Sequence, residues 1–477
     1  MPAAPPRESL DLAAQGQAAA WRAFIAAPDD IEARQRLVER LHDAPEAIDP
    51  VHEPTLHALL AHPSVDPQTL VPAGWALLDK TGRMPAEPEA AAAWLERDVF
   101  ARDLLAAGFV ATLAPEQALT ALRRWLLLSG RWRDHPATLA ALIAQADHNG
   151  GAWLIDAEEQ ALLEADPAAP IVRAYLPPPP VLPDTPDYVT PMTSTVAAHY
   201  ILRPYPAWRR PMVVVPTTLP AMVAKLGPGA PTGLPVAADI LIAGCGTGRE
   251  AAHWALRCPD AQITAIDISP ASLAFAKERC AAAGIHNISF RQLDLHHVAT
   301  LGRQFDAVAC SGVLHHLAEP ERGWAAITDV LKPGGVMSLM VYSAYVRLRV
   351  LRARYLLADL HALPLSDAVL RTARARLMRD MPTIAGSLDF YTLTGVHDLL
   401  FHEQEDPFDI TRIMRGMERL GLDFLGFRLT AQPRARYRRE HPDDPYRRDV
   451  AAWRALDRER PHPARGLHHW WCAKPAK

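Results

Sequence analysis

The stretch Asp239-Ile240-Leu241-Ile242-Ala243-Gly244-Cys245-Gly246-Thr247-Gly248 places the strongest limit on what this chain can fold into. An apolar run of strand length, Asp239 to Ala243, passes directly into three glycines spaced two apart, and Arg249 to Arg257 then carries a helical pattern. Gly244 and Gly246 permit backbone angles and a close ligand approach that a Cβ would oppose. Gly248 lets the helix start close to that ligand. The start of such a helix presents unpaired N–H groups to a carboxylate. By itself the turn is compatible with more than one nucleotide cofactor.

Downstream, short apolar runs alternate with helical segments. Strands are expected at Gln262 to Ile266, Ile288 to Arg291, Phe305 to Ala309 and Gly335 to Val341, with helices from Pro270 to Ala283 and Glu321 to Val330. This alternation predicts an α/β fold, a doubly wound and mostly parallel sheet. An Ile410 to Leu420 helix, a Phe424 to Leu429 strand and a His469 to Ala473 strand would close it. Val346 to Arg379 reads as helical and arginine-rich, and the polar, proline-containing stretch from Ala431 to Arg465 as a surface excursion. Asp267, followed by Ile268, ends the second strand 19 residues after Gly248, where a carboxylate can accept both ribose hydroxyls. Ser269 is the better cap for the helix that follows.

Other positions separate the cofactors. A dinucleotide pattern needs its third glycine at position 249, which is Arg249. Asp294 follows the third strand, where it could accept the adenine amino hydrogens, and Leu295 gives an apolar edge. Ser311 lies at the exit of the fourth strand, and Leu331-Lys332-Pro333-Gly334-Gly335 turns the chain into the fifth. Together with the glycine turn (Cys245 included) and Asp267, these residues resemble the class I S-adenosylmethionine-dependent methyltransferase family across 238 to 342. The resemblance implies S-adenosyl-L-methionine as cofactor and a seven-stranded sheet whose last strand is antiparallel. Tyr200 to Trp208, Asp398 to Glu405 and Leu119 to Glu164 resemble bacterial methyltransferases fused to tetratricopeptide-like helices. Ile201, Leu202, Arg203 and Ala207 depart from the residues usual there.

Methyl transfer from a sulfonium needs an in-line acceptor lone pair and no enzyme nucleophile. A hydroxyl or protonated amine acceptor also needs a base. His315 and His316, after the fourth strand, are the candidates, as base or as pocket wall. Tyr200, Arg203, Tyr205 and Trp208 read as a lid, with Tyr342 and Tyr345 as alternative pocket residues. His397, His402, Glu403 and Glu405 read either as an acceptor site or as helix caps and ion pairs. No metal is expected, since the adjacent pairs His296/His297 and His468/His469 lack an accompanying acidic ligand set. The methyl acceptor is expected to be a protein side chain or a small bacterial metabolite. The competing readings are an NAD-dependent oxidoreductase, which Arg249 and Asp294 oppose, and a non-catalytic scaffold that retains the cofactor pocket.

A length of 477 residues suggests roughly two to three domains. Leucine and alanine recur at helical spacings from 16 to 170, and prolines cluster from Leu176 to Pro186. The expected division is a helical domain at 1–175, a proline-rich linker and aromatic lid at 176–233, and a methyltransferase domain at 234–477 with a helical insertion at 346–408. The helical domain could recruit a protein substrate or hold a homodimer. A net charge of -4 gives no overall bias toward nucleic acid, and the arginines between Arg347 and Arg376 read as a solvated basic surface without a nucleic-acid-binding module. Neither a signal peptide nor an apolar run of about 18 residues is visible, so no membrane span is expected. Cys245, Cys258, Cys280, Cys310 and Cys472 lack metal-ligand spacing and read as reduced, buried thiols of a cytoplasmic protein.

Overall fold

The computed structural model describes residues 7–178, 205–459 and 466–476. Tyr200, Arg203 and residues 179–186 of the proline-rich stretch lie outside them. The chain forms two compact units, one of Met1–Pro180 with Val350–Phe401, the other of Val181–Arg349 with His402–Lys477.

The second unit is built on a seven-stranded sheet. Its strands are β1 (Asp239–Ala243), β2 (Gln262–Asp267), β3 (Ile288–Gln292), β4 (Phe305–Ser311), β5 (Leu331–Tyr342), β6 (Asp423–Phe427) and β7 (Leu467–Ala473). Their order is β3-β2-β1-β4-β5-β7-β6, and β7 runs antiparallel to both of its neighbours. β1 shows why a continuous apolar run suits its centre. Ile240 and Ile242 pack on one face with Trp254 of the helix Arg249–Arg257, while Leu241 and Ala243 pack on the other with Trp324 and Ile413. Each fully buried Ile or Leu contributes about 1.5–3 kcal/mol.

Three expectations need correction. Leu331 to Gly335 is not a turn ahead of the fifth strand, because Leu331 already pairs with Phe305. The ladder resumes at Ala307 and Val336, so Lys332 to Gly335 form a bulge inside β5. It is pinned from both sides, since Gly334 N–H donates to Lys474 O at 2.8 Å and Lys332 Nζ sits 2.9 Å from Asp306 Oδ1. The polar stretch after Ala431 is not simply a surface excursion either. It folds into helices Ala431–Glu440 and Val450–Leu456, anchored by buried Tyr437 and Trp453. Trp453 packs on Phe427 with ring centroids 4.3 Å apart.

The first unit is helical, from Arg7–Ala26 to Ala157–Ala165, and the helices break at His62 and after Ser129 as their breaker residues require. The arginine-rich segment supplies the third correction. Of its expected solvated arginines, Arg371 and Arg374 are buried on the face that also carries Leu370 and Leu377. Arg371 Nε donates to Gly151 O at 2.6 Å, and Arg374 donates to Phe390 O and to Glu116 Oε2 at 2.6 and 2.5 Å. The segment is also not one helical run, since Ser366 caps a fresh helix at Asp367–Asp380. Among the described residues, no helix is long and apolar enough to cross a membrane.

Candidate cofactor and acceptor site

Strand order reverses between β1 and β4: β2 and β3 lie to one side of β1, and β4 with the rest to the other. In open α/β sheets such a reversal leaves a crevice at the strands' carboxyl ends. Gly244 to Gly248 leave β1 there, and Ser311 ends β4 beside them. Gly244 and Gly248 have φ of 74° and 81°, the left-handed region that side chains oppose. A Cβ on Gly244 would overlap Val313. One on Gly248 would come within 2.6 Å of Ala276 Cβ, so that glycine also serves the packing of neighbouring helices.

Asp267 ends β2 beneath this turn. Its Oδ2 accepts from Gly246 N–H at 2.7 Å and its Oδ1 from Ser269 N–H at 2.8 Å. A carboxylate has about four lone-pair positions, so both oxygens retain capacity for a diol. Burial pushes the Asp267 carboxyl up, and the backbone N–H bonds pull against that shift. Ser269 caps the helix Pro270–Ala282 through Ser272 N–H. The turn thus joins helix-terminal N–H groups, an acceptor carboxylate and close backbone approach, a set that fits the carboxylate and ribose of S-adenosylmethionine.

Two aromatic and polar contacts clasp the turn from the preceding segment. Trp208 Nε1 donates to Thr247 O at 2.8 Å, and Thr247 Oγ1 donates to Pro206 O at 2.6 Å. Trp208 is buried, and the Tyr205 carbonyl lies 3.5 Å from where a Gly246 Cβ would stand. Trp208→Phe should keep the ring's packing while stranding the Thr247 carbonyl, a cost of about 1–3 kcal/mol. Faster amide exchange at Gly246 to Gly248 should accompany that loss, and unchanged exchange would show that the clasp does not hold the turn.

Ser311 Oγ donates to Glu250 Oε1 at 2.7 Å. Burial pushes Glu250 up, and the Ser311 bond opposes it. Glu250 carries no sequence signal for this contact. Its place in the first turn of the helix is legible, but its bond to the end of β4 is not. Asp294 lies beyond β3, where its Oδ1 accepts from His296 N–H at 2.9 Å and caps the turn Leu295–Leu301. Leu295 is buried beside it.

His315 and His316 form a short 3-10 turn after β4, and both are buried. Tyr342 N–H donates to His315 Nδ1 at 3.2 Å, so the neutral His315 ring carries its proton on Nε2, which has no partner among the described residues. Burial holds His315 well below the usual histidine range, and His316, Arg347 and His402 press the same way. His316 Nδ1 lies 3.0 Å from Gln404 O, which makes Nδ1 the donor and leaves Nε2 as the basic nitrogen of a neutral ring. His316 stacks on His402 with centroids 3.8 Å apart, and His315 lies 4.0 Å from the Tyr342 ring. Arg347 covers Tyr342 and forms a buried ion pair with Glu405, so it too departs from the solvated-arginine expectation. His397, grouped with His402 in the sequence, belongs to the other unit, on the helix Leu393–Phe401. Tyr345 lies just past β5, with Arg458 over its ring. All five cysteines are buried and free, and burial pushes Cys258 up to about 11, which makes it a poor nucleophile.

Residues 240–335 match the family described as Methyltransferase domain. An uncharacterized protein of Synechococcus is 37% identical over 199 residues, covering 39% of this chain and 48% of that protein. Trans-aconitate 2-methyltransferase of Deinococcus radiodurans is 33% identical over 104 residues, covering 22% of this chain and 38% of that enzyme. The chain therefore spans less than half the length of these curated relatives. Among solved structures, PKMT2 from Rickettsia typhi in complex with AdoHcy aligns with a TM-score of 0.43 at 16% identity, over 54% of this chain and 53% of that one.

Proposed function

We propose that the chain transfers the methyl group of S-adenosylmethionine to a protein side chain or a small metabolite. The observation that carries this reading is Asp267 bound to Gly246 N–H beneath the glycine turn, at the point where the strand order reverses. The turn residues would hold the donor's carboxylate, Asp267 its ribose, and Asp294 with Leu295 its adenine. When bound, the donor supplies an electrophilic methyl group. Trp208 and the 205–208 segment would exclude water above it, and Tyr342 would wall the acceptor side.

Of the two histidines, His316 is the better placed to take a proton, at Nε2. His315 would instead present an N–H, because its Nδ1 is already occupied by Tyr342 N–H. The likeness of the helical region to tetratricopeptide-like helices belongs to the same reading, with that region as the recruiter of a protein acceptor.

The test incubates the full chain and cell extract with methyl-labelled S-adenosylmethionine, then separates protein-bound from small-molecule label. Label should enter one fraction. His316→Ala should leave donor affinity within about twofold and lower turnover by about 10²–10⁴, the range for losing a general base. Preferential binding of NAD over S-adenosylmethionine would overturn the reading. Unchanged turnover in His316→Ala would remove only the base assignment.

A further inference from the structure

An arginine cluster gathers at the carboxyl end of β6, built by main-chain constraints. Arg428 follows β6, and its N–H donates to His469 O at 2.7 Å. His469 pairs with Met340 of β5, and Met340 with Ser311 of β4, so Arg428 stands level with the end of β4 across the sheet. Gly426, with φ of 113°, has no Cβ to collide with the Tyr446 carbonyl, and this lets the 444–448 loop lie on β6. Phe427 N–H then donates to Arg447 O at 3.0 Å, and Arg447 Nε returns to Phe427 O at 2.7 Å. The helix Ala431–Glu440 starts immediately beyond and places Arg434 and Arg438 one turn apart on one face. Arg257 joins from the end of the helix Arg249–Arg257, its NH1 3.4 Å from His253 Nε2.

The charges acting on Arg428 and Arg447 are mostly positive, with Glu250 and Asp444 the opposing acids. Arg257, Arg434 and Arg447 are the positive charges that act most on Arg428, and Arg434 and Arg438 those that act most on Arg447. Among the described residues, no carboxylate forms an ion pair with Arg257, Arg428, Arg434 or Arg438. The two nearby acids are engaged elsewhere. Glu250 holds Ser311, and Asp444 accepts from Arg448 N–H, Asp449 N–H and Tyr437 OH at 2.7–2.8 Å. Arg436, on the same helix, shows the ordinary alternative by pairing with Glu440 and Glu459.

We infer that Arg257, Arg428, Arg434 and Arg447 form a binding site for a small polyanion, a ligand with two or more phosphate or carboxylate groups. Guanidinium forks bind both groups in a bidentate manner, and only a multiply charged ligand neutralises several at once. Arg428 and Arg434 are exposed to solvent, so the site is open to such a ligand. Dense surroundings and the three like charges pull Arg428 down to about 10, so it still carries its charge at neutral pH. The inference does not depend on the methyl-transfer reading.

The test is calorimetric titration of the full chain with pyrophosphate and, separately, with citrate, at constant ionic strength. Saturable binding of at least one is expected, and the tighter of the two identifies phosphate or carboxylate as the preferred group. Arg428→Gln and Arg434→Gln should each weaken it at least tenfold with unchanged melting curves. Arg352→Gln removes the same charge from an exposed position of the other unit and should leave it unaltered. No saturable binding of either anion, or an equal loss in Arg352→Gln, overturns the site.

Discussion

Asp267→Ala should weaken binding of S-adenosylhomocysteine by about 100-fold. The estimate follows from losing two hydrogen bonds to a charged acceptor, each worth about 1.5–3 kcal/mol, against about 1.4 kcal/mol per decade of affinity, with partial replacement by water. The same carboxylate also holds Gly246 and Ser269 N–H, so the alanine variant loosens the turn as well as removing the ligand's partner. Asp267→Asn separates the two effects. Its amide oxygen can still accept one backbone N–H, so the turn should persist and affinity should fall by about tenfold. Burial raises the Asp267 carboxyl, so its ionised form is complete only at higher pH than for an ordinary aspartate. Wild-type affinity should therefore fall as pH drops toward that raised range, and the alanine variant should lack this dependence. Calorimetry across pH, with circular dichroism as the check on folding, reads both effects. Unchanged affinity in Asp267→Ala would defeat the ribose assignment.

The sheet was legible because its signals are local. A buried central strand needs an apolar run, and Ile240 to Ala243 and Ala307 to Cys310 show one. The glycine turn and Asp267 were legible for the same reason, since they follow their strands directly. What escaped the sequence depends on partners far away in the chain. Lys332 to Gly335 read as a turn, but only Phe305 and Lys474 reveal that the strand has already begun. Glu250 and Ser311 are separated by 61 residues, and neither alone points to the other as its partner. His402 and His397 looked like one cluster from proximity in sequence, yet each belongs to a different compact unit. The Arg428 cluster was hidden for a related reason. Its members come from four segments, and Gly426 gave no hint that a loop would lie across it.

Arg374→Met should destabilise the helical unit by about 3–5 kcal/mol, the usual result of leaving one member of a buried ion pair alone. Arg374 and Glu116 are 2% and 1% exposed, so water cannot replace the lost partner. The pair joins helix Asp367–Asp380 to helix Leu113–Ser129, which makes it a tie between the returning segment and the rest of its unit. Burial already raises Glu116 despite the opposing effect of Arg374, and removing that cation should raise it further. A carboxyl whose folded pKa exceeds its unfolded value contributes stability at low pH that is lost as pH rises through the folded value. The deficit of Arg374→Met should therefore be larger at pH 8 than at pH 5. The double variant Glu116→Leu/Arg374→Met removes both buried charges and should recover most of the loss. Urea unfolding at the two pH values, followed by circular dichroism at a helical wavelength, decides the matter. A deficit below about 1 kcal/mol, the scale of exposed pairs, would show that water reaches Glu116 and that the pair is not the tie described here.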